Sequence, residues 1–255
     1  MGTALITGAS AGLGLEFAWQ LAAAQHDLVL VARNEERLKE VAENIHTVTG
    51  VAVEVLPADL SVPGDVDRVA DRLAATGAAG GPAAVGLLVN NAGFATPGNF
   101  TRGRVTSELR GIDVMIRALV HLSHAAVQQM VPRGRGAILN VASVAALTAG
   151  GTYAAAKAYV RAFTEGLAVD LKGTGVTATV LCPGFTHTEF HARAGIPETA
   201  IPSWAWLDAP PVVRQALADV RRGAVISTPS VRYKVASALL RAAPRWAVRA
   251  VGKVR

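Results

Sequence analysis

Residues 3–14 read TALITGASAGLG, an apolar run from Thr3 to Thr7 followed by Gly8, Gly12 and Gly14. A short apolar run that stops at a glycine reads as a buried strand entering a turn. Glycines at these spacings permit a tight turn and let the backbone come close to a ligand. The next stretch, Gly12–Gln25, places Leu13, Phe17 and Leu21 four apart, which is the spacing of one helix face. A helix starting at such a turn aims free N–H groups and a positive dipole end at an anion. Strand, turn and helix together read as a phosphate-binding turn, with Gly8, Ser10, Ala11, Gly12, Leu13 and Gly14 as candidate contacts. The spacing is G-x-x-x-G-x-G, so the usual G-x-G-x-x-G pattern fails and a variant is required. Taken alone, the motif also fits a turn that merely packs a helix on a strand.

Outward from this turn, strand-like and helix-like segments alternate. Strand candidates are 27–33 (DLVLVAR), 51–56, 85–90 (VGLLVN), 136–142 (GAILNVA), 176–182 (VTATVLC) and a short one at 224–227. Helix candidates are 35–49, 65–76, about 104–131 and about 151–172. Nearly continuous apolar strands suit a sheet buried on both faces. Strand–helix alternation implies parallel strands joined by right-handed crossovers. The fold class is therefore α/β, a single-domain Rossmann-like doubly wound parallel sheet of about seven strands with helices on both faces. No linker, repeat or low-complexity block divides it.

In such a sheet the end of the second strand faces the adenosine ribose. An acid there bonds the 2′-hydroxyl, whereas an arginine accommodates a 2′-phosphate. Here the second strand ends Val31-Ala32-Arg33-Asn34, with no acid before Glu35. This predicts NADP(H) in preference to NAD(H), with Arg33 as the main contact and Ser10 as a helper. The plainer reading of Arg33 is a solvated residue at a helix start. Asp59 and Leu60, after the third strand, are placed to meet the adenine edge, although Asp59 also suits a turn or helix cap.

Thr7-x-x-x-Gly12-x-Gly14, Asn90-Asn91-Ala92-Gly93, Ser143, Tyr153-x-x-x-Lys157 and Pro183-Gly184 occur in one order along the chain. In that order the chain resembles the short-chain dehydrogenase/reductase family, its NADP-preferring branch, over roughly residues 3–190. The resemblance implies an enzyme that passes hydride between a nicotinamide and a carbonyl or secondary alcohol. It assigns Tyr153 as acid/base, Lys157 as the group that tunes the phenol and holds the nicotinamide ribose, and Ser143 as the donor to the substrate oxygen. Tyr and Lys at i and i+4 share one helix face. A phenol with a pKa near 10 is a poor acid–base group at neutral pH, and a nearby cation favours its phenolate. By the same resemblance the segment after the fourth strand, with Asn90, Ala92 and Gly93, stabilises the central sheet and lines the cofactor site, where Asn91, Ala92 and Gly93 are candidate contacts. Pro183 and Gly184 form the turn under the nicotinamide, and Thr186 and Thr188 bond carboxamide and phosphates. A homodimer or homotetramer through the long helices is also implied.

The chain departs from the family pattern twice. Met115 stands where the family has an asparagine that helps hold a proton-relay water. A thioether cannot donate a hydrogen bond, so either protons reach Lys157 by another route or turnover is slow. Ser143 and Tyr153 are ten positions apart, closer than usual, so the loop 144–152 is shortened. These departures motivate a second reading, a dinucleotide-binding sensor or scaffold with little turnover. His187-x-Glu189-x-His191 resembles metal ligands but lacks the H-E-x-x-H order, and no metal is assigned. The segment 186–210, with Phe190, Ile196, Ile201, Trp204, Trp206 and Leu207, reads as an apolar substrate lid, which suits an apolar ketone or alcohol.

The chain has 255 residues, 51% hydrophobic and 17% charged, so a disordered chain is excluded. One cysteine, Cys182, precludes an internal disulfide and a cysteine-built zinc site. It reads as a small core residue. No basic segment precedes an apolar run at the start, Ile6 breaks the myristoylation pattern, and no stretch reads as a membrane span. A cytoplasmic protein is the expectation. The net charge of +6 hints at nucleic acid, but no nucleic-acid motif is present and none is assigned as partner. The charge is uneven: after Asp219 there is no acid, and residues 220–255 carry nine cations, which leaves the first 219 residues at −3. This divides the chain into a catalytic domain, 1–229, and a basic amphipathic tail, 230–255. The tail reads either as packed on the body or as peripheral to an anionic membrane.

Overall fold

The structure is a computed structural model that describes residues 2–78, 80–95, 100–190, 199 and 201–251, of which residues 250 and 251 only as backbone. Seven parallel strands form one sheet in the order β3-β2-β1-β4-β5-β6-β7. They are β1 (Thr3–Thr7), β2 (Asp27–Ala32), β3 (Val53–Pro57), β4 (Val85–Asn90), β5 (Gly136–Val141), β6 (Val176–Leu181) and β7 (Ile226–Ser227). The helices are α1 (Gly12–Ala23), α2 (Glu35–Thr49), α3 (Pro63–Ala74), α4 (Val105–Ile112), α5 (Ala118–Met130), α6 (Gly151–Asp170), α7 (Ala209–Arg221), α8 (Val231–Ala242) and α9 (Arg245–Val251). Strand order reverses between β1 and β4, the place where a doubly wound sheet opens a crevice at the carboxyl ends of its strands.

The strands lie in this sheet because both their faces are covered. Ala4, Ile6, Leu28 and Leu30 pack with Phe17 and Leu21 of α1, Leu38 and Ile45 of α2, and Val213 and Leu217 of α7. Leu5, Val29, Val31 and Leu88 point the other way, onto Val69 and Leu73 of α3 and Leu122 and Met130 of α5. Every residue of β1 is buried. One polar chain crosses the middle of the sheet. Asn90 Nδ2 donates to Ser123 Oγ (3.1 Å) and to Asn140 Oδ1 (2.9 Å), and Asn140 Nδ2 donates to Thr164 Oγ1 (2.9 Å). The steadying role expected of Asn90 thus has a concrete form, because Asn90 and Asn140 are register partners on β4 and β5.

Two expectations are corrected. The long helix at 104–131 is not continuous, since Asp113–Arg117 forms a π-helical turn between α4 and α5. The short strand at 224–227 pairs only at Ile226 and Ser227. No helix among the described residues is long and apolar enough to cross a membrane. Within the lid, Thr186 and Leu207 form a parallel bridge. Ile196 and His191 lie outside the described residues, as do Lys253 and Arg255 of the tail.

Candidate active site

The turn after β1 is built around glycine. Gly8 and Gly12 have φ of +68° and +55°, the left-handed region that side-chain-bearing residues rarely enter. A Cβ on Gly14 would lie 2.1 Å from the Gly8 carbonyl oxygen, so α1 can approach β1 only without it. The segment after β4 staples this turn. Thr7 Oγ1 accepts the N–H groups of Asn91 and Ala92, both at 3.0 Å, while Asn91 Nδ2 donates to the carbonyls of Thr7 (2.9 Å) and Gly8 (3.3 Å). Asn91 therefore braces the turn from across the switch point. The N-cap of α1, Ala11, offers no side-chain hydrogen bond, and no acid occupies the first turn. The helix start keeps its free N–H groups for an anion. Thr188 lies directly over it, with its Cβ 3.3 Å from where a Gly12 Cβ would sit.

Ser143, Tyr153 and Lys157 come together at the ends of β5 and β6. Ser143 caps a 3-10 turn, Val144–Leu147, its Oγ accepting from Ala145 N at 3.1 Å. That turn absorbs the short Ser–Tyr spacing, and the Ser143 hydroxyl still lies close enough to the Tyr153 phenol to favour its ionised form. Tyr153 lies in the first turn of α6 and Lys157 one turn later, its Nζ 5.8 Å from the phenol ring centroid. Lys157 is buried, and its Nζ donates to the Val141 carbonyl at 2.7 Å. Burial pushes the Tyr153 phenol up to about 12, with the nearby Ser143 hydroxyl opposing it. Burial likewise pulls Lys157 down to about 8, since desolvation penalises the charged form. The expected lowering of the phenol is thus not supplied by the protein alone, because desolvation outweighs the Ser143 hydroxyl.

Met115 is buried in the π-helical turn, at the wall of this group. A Cβ on Gly93 would meet Lys157 Nζ at 3.3 Å and Met115 Sδ at 3.4 Å, so lysine and thioether flank the same glycine. π turns recur at functional sites, and here one persists with methionine in it. Phe190 of the lid closes over Tyr153, their ring centroids 5.6 Å apart. Cys182, at the end of β6, is buried, and desolvation lifts its thiol to about 11, as the core reading expects.

The adenosine side is less simple. Arg33 is exposed at the end of β2, beside Asn34, which caps α2 by accepting from Arg37 N at 2.9 Å. Both carboxylate oxygens of Asp59 are already engaged. Its Oδ1 accepts from Ser61 N and Oγ, and its Oδ2 accepts from Arg110 at 2.7 Å. Desolvation pushes the Asp59 carboxyl up, but the Ser61 and Arg110 hydrogen bonds win and hold it below the usual carboxylate range. Leu60 is buried beside it.

Sequence reasoning missed Arg110 and Arg37. Arg37 forks onto Glu189 of the lid, at 2.6 and 3.4 Å. The two are 152 positions apart, and no local pattern signals the pairing. Glu189 and His187, considered as metal ligands, are otherwise engaged, His187 being stacked on Trp206 at 4.5 Å. Thr186 Oγ1 donates to the Gly184 carbonyl at 3.1 Å, and Pro183 accepts from Val144 N at 3.0 Å, which ties this turn to the loop after Ser143.

The sequence profile described as short chain dehydrogenase matches residues 2–198. The chain is 38% identical over 194 residues to sulfoacetaldehyde reductase 2 of Chromohalobacter salexigens, covering 73% of each protein. Among solved structures it is similar to a short-chain dehydrogenase from Sphingobium yanoikuyae in complex with NADPH, with 34% identity, a TM-score of 0.84, and 95% and 94% of the two chains covered. It is also similar to the bulky-bulky ketone specific alcohol dehydrogenase from Comamonas testosteroni, with 28% identity, a TM-score of 0.80, and 95% and 93% covered.

Proposed function

The chain belongs to the short-chain dehydrogenase family, an oxidoreductase acting on CH–OH groups with a nicotinamide dinucleotide, and from that premise we propose an NADP(H)-dependent reductase of apolar ketones. The same enzyme would run in reverse as a secondary alcohol dehydrogenase. The observation that carries the reading is the Tyr153 phenol, set beside Ser143 and one helical turn from a buried lysine.

The residues suit the dinucleotide. A glycine turn with no room for a Cβ and an uncapped helix start would hold the pyrophosphate. Arg33 would hold the 2′-phosphate, and Asp59 and Leu60 would border the adenine. Ala92, Gly93 and Lys157 would border the nicotinamide ribose, with Pro183, Gly184, Thr186 and Thr188 on the carboxamide side. When bound, the nicotinamide supplies or accepts the hydride. Tyr153 gives its proton to the carbonyl oxygen in reduction and recovers it from the hydroxyl in oxidation. Burial keeps the phenol protonated at neutral pH, ready to act as acid. Lys157 stays charged below about pH 8 and favours the phenolate left after transfer. Ser143 steadies the oxygen as charge develops on it. The relative acting on bulky ketones and the packing of Phe190 on Tyr153 support an apolar substrate. A homodimer or homotetramer belongs to the same reading. Val105, Leu109 and Ile112, an i, i+4, i+7 stripe on α4, are exposed and suit a partner copy, which light scattering tests.

The assay follows loss of NADPH absorbance against aryl and alicyclic ketones, with NADH in parallel. Hydrogen bonds to charged groups contribute about 1.5–3 kcal/mol, so Arg33→Ala is expected to lower kcat/KM for NADPH about ten- to a hundredfold and leave NADH unaffected. A preference for NADH, or an indifferent Arg33→Ala, overturns the cofactor assignment. Met115 at the relay position favours the second reading, a dinucleotide-binding protein with little turnover. NADPH binding without turnover, insensitive to Tyr153→Phe, would establish that one.

A further inference from the structure

The last two helices expose an apolar stripe. On its inner side α8 buries Ser237 and half-buries Tyr233 and Leu240. Its Tyr233 hydroxyl donates to the Ala205 carbonyl at 2.6 Å and accepts from Phe185 N at 3.1 Å. The outer side carries Val231, Val235 and Leu239, exposed by 75%, 54% and 66%. They recur at i, i+4 and i+8 and so share one face, to which the exposed Ala238 and Ala242 also belong. Arg232 borders this stripe on one flank, and Lys234 and Arg241 on the other, all exposed. On α9 Val248 is buried, whereas Trp246 is 69% exposed and stands among exposed Arg245 and Arg249.

A surface helix ordinarily turns its apolar face to the core and its charges to water. Here the inner face is already bound to the body, and the outer face is apolar in the middle and cationic at its borders. That is how a helix lies in a bilayer interface, with its stripe among acyl chains, cationic heads reaching the phosphates and tryptophan at headgroup level. We propose that α8 and α9 dock this enzyme peripherally on an anionic lipid surface. A second copy of the chain does not fit the face. A two-fold contact sets a patch against itself, and this patch has five cations with no acid anywhere after Asp219. A nucleic acid would answer the charge but leave the apolar stripe in water.

The docked face adjoins the lid. Arg232 donates to the Trp204 carbonyl, and Gly184 lacks a Cβ where the Tyr233 ring lies. On the proposed function, an apolar ketone would then reach the lid from the lipid side, but docking itself does not rest on that function.

The test is co-sedimentation of the full chain with phosphatidylcholine vesicles, with and without phosphatidylglycerol, in the absence of cofactor and substrate. The protein is expected to pellet with phosphatidylglycerol vesicles and to be released as salt is raised. Val235→Asp with Leu239→Asp is expected to weaken binding about tenfold or more. Lys234→Gln or Arg241→Gln is expected to weaken it about fivefold each. All of these are expected to leave turnover in solution unchanged, because the side chains are exposed and none belongs to the Ser143, Tyr153 and Lys157 group. Absent pelleting, or equal pelleting on both vesicles, overturns the proposal. Binding indifferent to the aspartate pair also overturns it and points to a bare polyanion site. So does loss of self-association in the aspartate pair with lipid binding intact, which assigns the stripe to a partner copy. Lost activity with lipid binding intact would count against the enzymatic reading alone.

Discussion

Burial acts on Tyr153 and Lys157 in opposite senses, and the pH dependence follows from that. Lys157 titrates near 8 instead of its usual 10.5. Between those values the unfolded chain holds the extra proton, so this group makes stability rise with pH across that window. Tyr153 titrates near 12 instead of 10. Between those values the folded chain holds the extra proton, so its contribution to stability falls as pH rises. For catalysis, the rate of ketone reduction should be flat below about pH 8 and decline above it as Lys157 loses its charge. The pH profile of kcat checks this, and Lys157→Gln should erase that limb at a uniformly low rate. Tyr153→Phe should lower kcat about 10²–10⁴-fold, the usual contribution of a positioned acid. At Met115, asparagine would put an amide beside a buried lysine in a space shaped for a thioether. The expected outcome is unchanged kcat and a stability loss of about 1–3 kcal/mol, read from a denaturant midpoint. A rise in kcat would mean that the relay was limiting. Ser143, Tyr153 and Lys157 were legible because their chemistry depends on residue type and short spacing. Arg110 on Asp59 and Phe190 on Tyr153 were not, since each joins residues dozens of positions apart.

At the scale of elements, the lid is tied down at both ends. Thr186 bridges Leu207, and Glu189 reaches across the glycine turn to Arg37 on α2. Arg37 lies in the first turn of α2, four positions after Arg33, the residue proposed to hold a 2′-phosphate. Both partners of the ion pair are about two-fifths exposed, and such pairs contribute about 0–1 kcal/mol. Glu189→Gln would free Arg37 for the phosphate, so KM for NADPH is expected to fall by up to about fivefold while KM for NADH stays put. A mere loosening of the lid would raise both, and steady-state kinetics with the two cofactors separate the cases. The strands and helices themselves were legible from apolar runs and helical spacing. The π-helical turn was not, since Asp113-Val114-Met115-Ile116-Arg117 carries no glycine, proline or other local breaker.

For the whole molecule, the buried chain Ser123–Asn90–Asn140–Thr164 pins β4 to β5 beneath α5 and α6. Asn140→Ala would leave one Asn90 N–H without its acceptor and Thr164 Oγ1 without its donor, at a cost of about 1–3 kcal/mol, measurable as a shift in the midpoint of urea unfolding without change of its slope. Charge is also partitioned at this scale, with an acidic-leaning body and a cationic end. From sequence the cationic end was open between packing on the body and facing a membrane. The structure shows that one helix does the first with Tyr233 and Ser237 while leaving Val231, Val235 and Leu239 outward. By itself the sequence determined the α/β class, the alternation of parallel strands with helices, the glycine turn and the Ser143–Tyr153–Lys157 spacing. Those features are written in periodicity, glycine spacing and residues one helical turn apart, which are local quantities. Tertiary structure alone decided that burial raises the Tyr153 phenol, that Arg110 pairs with Asp59, and that Arg37 meets Glu189. Such effects arise from desolvation and from contacts between distant segments, and neither exists until the sheet has closed between its two layers of helices.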